Sequence, residues 1–506
     1  MAFDLESQSQ PTDETKFENV EAFKVGFESD DVTNPKNFST LYKIWLVFQM
    51  SMLAMTGALG SSIISPGSTQ IAEYTDTSVE VTSLTVALFV LGWAFGPMIW
   101  APISEVYGRR LGMLPAIFVL GLFSIGTATS KNSETIFLTR FLGGIFASAP
   151  ISNVPAALGD IFPPATRGNA MTFVALCITG GPTIGPIIGS ALTVNRSLGW
   201  RWTEYIEAII AFFLFTVCAL CLPETYAPVL LKQKAQKLRK STGDERYWHP
   251  HEKEKIDMHN AVAKHLARPL VYEPTLCLQE HRVNYVLDRM LCTEPMVTLL
   301  ALYASFTYSL IYLTLEVFPI VFNEDRHWSL VTSALPFLSI LVGVICAVVL
   351  NFANQPRYQR AVTANDGKAV PEARLPPIIV GGVLLSVGLF WFGWTAAPKY
   401  PWPSPVVAGG FIAAGFNIVF QQCLNFLVDT YGPFAASAVS ANTILRSILA
   451  CAMPIAARPM FENLGLGPAA SLLGGISCLA LPVPFLFMKY SEALRAKSKF
   501  TSGRDA

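Results

Sequence analysis

Long apolar runs recur along this chain, and charged residues are confined largely to the connections between them. A hydrocarbon core about 30 Å thick takes roughly 20 helical residues to cross, and inside it every backbone polar group must be satisfied within the chain. Runs of this length are therefore expected to be helices. They fall at 44–64, 80–101, 111–129, 136–159, 168–192 and 202–222, and then, after a polar connection, at 295–322, 330–352, 376–396, 404–428, 434–457 and 468–488. Six helices, a charged linker and six helices suggest a duplicated bundle with a substrate site between its halves near the midplane. The expected fold class is an all-α polytopic membrane protein, with twelve transmembrane helices in two pseudo-symmetric six-helix bundles. Its expected parts are a tail at 1–40, a bundle at 41–222, a linker at 223–293, a second bundle at 294–488 and a tail at 489–506.

Composition agrees with this pattern. Hydrophobic residues make up 52% and charged residues 14%, against about a quarter charged in a soluble domain. The formal net charge is zero, which leaves no basic footprint for nucleic acid. Lysine and arginine are uneven: Arg109, Arg110, Arg167, the cluster from Lys232 to Arg268, Arg357, Arg360, Arg374 and Lys489 to Lys499 all fall on one side. Their excess places both termini and the linker in the cytosol. The acid-rich residues 1–40 are expected to be disordered. Asn195-Arg196-Ser197 then faces outward as a candidate glycosylation site. Cys218 and Cys221 form C-x-x-C within an apolar helix, where packing is the expected role. The histidines of the linker (His249, His251, His259 and His265) have no cysteine among them and are read as a hydrated loop rather than a metal site. No G-x-x-x-x-G-K-[S/T] phosphate loop is present, so no nucleotide and no other cofactor is expected.

Four constellations carry candidate chemistry. Gly96 to Arg110 (GPMIWAPISEVYGRR) joins helices 2 and 3, and its Glu105, Gly108, Arg109 and Arg110 make a tight charged turn able to lock one conformation through ion pairs. A plain topogenic loop would carry the same charge. Asp160 and Arg167, at the next connection on that side, are counted with this gate. Arg140 lies inside the apolar run of helix 4, where a guanidinium normally needs a partner or a cavity unless it snorkels to an interface. Gly181, Gly185 and Gly189, with Pro182 and Pro186, form a smooth stripe on a bendable helix 5, which is also what a kinked packing seam requires. Asn417, Gln421 and Asn425 recur every four residues in helix 10 and give it a polar face, read as a cavity wall or as interhelical hydrogen bonding. Glu316 in helix 7 is a poorly solvated carboxylate suited to taking up and releasing a proton, with Arg446 of helix 11 as a possible counter-charge.

The helix 2–3 stretch resembles the signature loop of the major facilitator superfamily, in the form found in the fungal twelve-span drug:proton antiporters. The resemblance extends through Arg140-Phe141-Leu142-Gly143-Gly144, Asn417 to Tyr431 and Ala441 to Arg446. It implies the major facilitator fold, a cytosolic gate at Glu105 and its arginines, proton coupling through Arg140, and an antiporter motif at Gly181–Gly189. One departure stands out: Val271–Asp288 separates two segments that run together in the family. An unspliced intron or a true linker insertion would each explain it.

The expected function is a proton-coupled exporter of small organic molecules at the plasma membrane, acting as a monomer, with the substrate, protons and membrane lipid as its partners. Exporters of organic acids or polyamines are the near alternatives, since Arg140 and Arg446 suit an anion and Glu316 a cation. A membrane sensor is the remote one. An enzyme would need paired catalytic groups inside the bundle, and no intramembrane histidine pair is present.

Overall fold

The computed structural model describes residues 23–28, 30–253, 295–365, 370–431 and 435–497. Twelve helices in it are long and apolar enough to cross a membrane. The spanning helices are α1 (Thr40–Gly60), α2 (Leu84–Tyr107), α3 (Arg109–Thr129), α4 (Ser133–Ile161), α5 (Pro164–Val194) and α6 (Arg201–Cys221), then α7 (Pro295–Phe318), α8 (Phe337–Ala364), α9 (Leu375–Thr395), α10 (Pro403–Tyr431), α11 (Ala435–Leu464) and α12 (Leu466–Ala480, continued by Pro482–Lys497). Their even number brings both ends of the chain to one side of the bundle, the near end; the opposite side is the far end.

The packing repeats. In the first half α1 packs on α5, α2 on α4, and α3 on both α4 and α6; in the second half α7 packs on α11, α8 on α10, and α9 on both α10 and α12. Each pairing in one half has its counterpart six helices later. The halves meet along α2–α11 and α5–α8, two seams that the same two-fold relation exchanges. A protein built this way can rock about its midline while each half keeps its own packing.

Small residues set the close crossings. A Cβ on Gly144 of α4 would lie 2.0 Å from the Phe89 carbonyl oxygen, and one on Gly92 of α2 would lie 2.6 Å from that of Phe141. Backbones therefore approach to distances that larger residues forbid, as expected where lipid provides no hydrophobic drive between helices.

Three boundaries differ from expectation. The 65–79 connection contains a short helix, Ser68–Thr75. α8 runs on to Ala364, where Asn351 accepts from Gln422 at 2.8 Å and Tyr358 donates to Asp429 at 2.8 Å; these polar partners carry the helix past its apolar stretch. The expected disorder of 1–40 does not extend to its last part, because residues from Phe23 onward dock on the linker. Val25 donates to the Trp248 carbonyl at 3.0 Å and Trp248 to that of Phe23 at 3.1 Å. Lys234, on the linker helix Ala227–Thr242, meets Asp31 at 2.6 Å. That hydrogen bond holds the Asp31 carboxyl down at about 2, so the carboxylate stays charged at any physiological pH. The linker is thus a folded strap over 227–253, whereas Val271–Asp288, His259 and His265 lie outside the described residues.

Candidate functional site

At the near end, Gly108 takes a φ of +102° and turns α2 directly into α3. A side chain there would be strained by the backbone and would also collide with the Glu224 carboxylate, 2.2 Å from an added Cβ. Glu224 occupies that place for a reason. Its Oε1 accepts from the backbone N–H groups of Arg109 (2.9 Å), Thr225 (2.9 Å) and Tyr226 (2.8 Å), and its Oε2 from Arg110 (3.1 Å). A carboxylate thus caps the N-terminus of α3, where orphan N–H groups and the helix dipole both favour negative charge. Arg109 is buried, bonds Asp160 at 3.0 Å through Nε and Ser104 at 2.9 Å through Nη1, and lies over the Tyr226 ring at 4.6 Å. Arg110 donates to the Ala219 carbonyl. Glu105 is exposed and forms no ion pair among the described residues, and Arg167 stands near Gly159 at the α4–α5 junction.

The second half repeats this clamp. Arg374, just before α9, bonds Asp429 of α10 at 3.0 Å through Nε and lies over the Tyr358 ring. Arg109–Asp160 joins the start of α3 to the end of α4, and Arg374–Asp429 joins the start of α9 to the end of α10. The sequence reading counts Arg109 and Asp160 with one gate without pairing them, and does not connect Arg374 with Asp429; the partners lie 51 and 55 residues apart in the chain, so only the fold brings them together. In the sequence Arg374 reads as a topogenic charge, and Asp429 lies inside a stretch that resembles the family.

Arg140 is the centre of the far third of the first half, and it is 1% exposed. Its Nη1 meets Glu204 at 3.1 Å and Glu207 at 3.8 Å, both on α6. Nε donates to the Thr85 carbonyl at 2.9 Å and Nη2 to that of Gly60 at 2.7 Å, while the guanidinium lies 4.2 Å over the Phe89 ring. Both carboxylates are fully buried, so the snorkelling alternative is closed. Gly60 makes room for the second acid: a Cβ there would fall 1.8 Å from Glu207 Oε1. One guanidinium faces two carboxylates, and both Glu207 oxygens together with Glu204 Oε2 lack hydrogen-bond partners. The cluster therefore carries one negative charge too many for a dry site, a surplus that a single proton would remove. Sequence reasoning missed Glu204 and Glu207. The signal was available, since two acids three residues apart in an apolar span have the same rationale as Arg140.

This cluster reaches across the midline. Arg140 Nη2 also approaches the Ser61 carbonyl at 3.3 Å, and the Ser61 hydroxyl shares a 3.2 Å hydrogen bond with the Tyr312 hydroxyl of α7. Tyr312 in turn stacks edge-on with Trp93 of α2 and lies beside Tyr308.

The remaining candidates separate. Glu316 is partly exposed and forms no ion pair among the described residues; Arg458, near the far end, bonds Glu324 and Glu462. No ion pair joins Glu316 to Arg446 among the described residues. Arg446 lies instead over the Tyr308 and Phe420 rings at 4.6 and 5.4 Å. Asn417 is buried with both amide atoms unpartnered, whereas Gln421 and Asn425 are half-buried on the same side of α10. Asn195 is exposed in the far connection between α5 and α6 and accepts from Ser197 at 2.7 Å.

The glycine stripe of α5 faces α1 and the turn after it. Added Cβ atoms at Gly181, Gly185 and Gly189 would lie 2.7 Å from Ala58, 2.1 Å from Ser62 and 2.1 Å from the Ile63 carbonyl oxygen. Pro182 and Pro186 lie inside the same helix without breaking it. At Gly189 the obstacle is backbone and cannot rotate away. Gly189→Ala should therefore force α5 from α1, costing about 1–3 kcal/mol as overpacked sites do. Thermal unfolding in detergent is expected to show the loss. Gly180→Ala, whose added Cβ meets only Leu341 at 3.9 Å, should leave the transition in place.

Comparison with known proteins agrees with this geometry. A family model described as Major Facilitator Superfamily matches residues 50–454. Efflux pump bik6 of Gibberella fujikuroi is 38% identical, over 94% of this chain and 95% of that protein. The major facilitator superfamily multidrug transporter FLU1 of Candida albicans is 36% identical, over 94% of this chain and 76% of its own. Among solved structures, a proton:xylose symporter, XylE, superposes with a TM-score of 0.60 at 16% identity, covering 90% of this chain and 96% of that one.

Proposed function

Because the chain belongs to the major facilitator superfamily of membrane transporters, we propose that it is a proton-driven antiporter exporting small organic molecules. The observation that carries the coupling is the buried site on α4 and α6, with two carboxylates against one guanidinium. Glu207, farther from Arg140 and with both oxygens unpartnered, is the proton carrier; Arg140 holds the pair in place and passes their state to Ser61. The direction of transport rests on the similarity to an efflux pump and a multidrug transporter and on the intact glycine-proline stripe of α5. Glu316 is a second, separate candidate for proton exchange.

In this reading the near end, with the linker strap and both termini, lies in the cytosol, and the membrane is the plasma membrane. The two arginine–aspartate clamps form the cytosolic gate, from which Glu105 is free to seek a partner when the halves rock. A proton entering through 100 mV releases about 2.3 kcal/mol, and at about 1.4 kcal/mol per tenfold this sustains a roughly fifty-fold gradient of a neutral solute. The protein works as a monomer, because each half supplies one wall of the site.

The test is a proton count. In vesicles of reconstituted protein, an imposed pH gradient should drive accumulation of a fluorescent drug together with opposite proton flow read by a trapped pH dye. A protonophore should abolish both. Accumulation that persists without a proton gradient would rule out antiport.

A further inference from the structure

Arg446 is an intramembrane cation that forms no ion pair among the described residues. The ion pairs of the second half are Arg374–Asp429, Arg458–Glu324 and Arg458–Glu462, and Arg446 joins none of them among the described residues. It is 8% exposed, its Nε has no hydrogen-bond partner, and its neighbours are aromatic faces rather than acids. Its Nε–H is thus a buried donor left unused beside the two rings. Arg140, by contrast, has every arm engaged.

The surroundings of Arg446 have the same unfinished character. Asn442, one helical turn earlier on the same face of α11, is fully buried with both amide atoms unpartnered. Asn417, one turn from Phe420 on α10, is 1% exposed and equally unpartnered. The rings under Arg446, Tyr308 and Phe420, form a cluster with Phe416 in which centroids are 5.3–5.9 Å apart. These side chains come from α7, α10 and α11, close to the middle of each helix. Buried amides without partners are costly to keep unless something polar completes them.

We propose that Arg446, with Asn417 and Asn442, is the binding site for the anionic group of the transported molecule, a carboxylate or phenolate on a flat aromatic body that stacks against Tyr308 and Phe420. This deepens the efflux reading and rests on it for direction only. The chemistry is complementary: a guanidinium fork receives two oxygens in parallel, the amides donate to or accept from flanking groups, and the rings supply the apolar wall. It also selects against polyamines, which would bring like charge to an unshielded cation. Export then gains twice from an inside-negative membrane, since a proton enters as an anion leaves.

The site is tested on the reconstituted full-length protein with three isosteric probes: 2-naphthoate, neutral 2-naphthamide and the 2-naphthylmethylammonium cation. Binding is followed by tryptophan fluorescence, for which Trp93 beside Tyr312 is a reporter. The naphthoate should bind at least tenfold more tightly than either other probe. Arg446→Gln should erase that preference, and Arg446→Lys should keep part of it. Equal binding of the three probes, or no binding of any, overturns the proposal, and the wild-type ranking decides it even if a variant fails to fold. A preference that survives in Arg446→Gln also overturns it. Proton-driven transport of a neutral drug with no anion preference would sink this site and leave the efflux reading standing. Anion-selective binding without proton-driven movement would do the reverse.

Discussion

Arg140→Ala is expected to abolish proton-driven transport, lowering it by at least about a hundredfold, on the order of 2.7 kcal/mol. Arg140 is the single positive charge against Glu204 and Glu207, at 3.1 and 3.8 Å, and it also closes the Thr85 and Gly60 carbonyls. Removing one partner of a buried pair costs about 3–5 kcal/mol because the other charge is stranded. Part of the loss could therefore be folding, and Glu207→Gln separates the two effects. That change removes the surplus negative charge at constant shape, so the protein should fold at least as well. It should still exchange substrate across the membrane down its gradient, yet ignore an imposed pH gradient. Arg140→Lys keeps the charge and loses the fork, and is expected to retain only a small fraction of activity. Full pH-driven transport in Glu207→Gln would remove this cluster from the coupling step.

Breaking the two near-end clamps should have the next largest effect. Asp160→Ala removes the acceptor of Arg109 and Asp429→Ala that of Arg374, each held at 3.0 Å. A hydrogen bond to a charged group is worth about 1.5–3 kcal/mol, enough to shift a conformational equilibrium by roughly ten- to a hundredfold. Each variant should lose about tenfold in transport rate. Because the clamps belong to different halves and share no residue, the double variant should lose close to the product of the two. Initial rates in vesicles measure this. A double variant no slower than either single one would mean that the two clamps do not contribute independently to the gate, and unchanged rates in all three would deny the clamps a role.

Much of this was legible before any coordinates. Apolar length dictated twelve helices, because nothing else satisfies a backbone in lipid, and the charged run in the middle divided them into six and six. Gly108 between a polar turn and two arginines marked the tight α2–α3 turn, and the four-residue repeat of Gly181, Gly185 and Gly189 marked a close-packed seam. What remained hidden followed from pairing at long range. Arg140 was visible as an anomaly, yet its partners Glu204 and Glu207 are brought to it only by the fold, with α4 and α6 both lying against α1 and α3. Glu224 reads in sequence as one acid after a helix, and becomes the cap of α3 only where α6 ends beside it.

Helix number and the internal duplication are properties of local hydrophobicity, which every segment carries with it, whereas an end such as that of α8 at Ala364 depends on polar partners from other helices. Which charges neutralise each other is not local. Tertiary structure alone gave Arg140 two acids, gave Arg446 aromatic faces as neighbours, and paired Arg458 with Glu324 and Glu462. Electrostatic energy depends on distance in space, and helices far apart in sequence acquire their distances only when they pack.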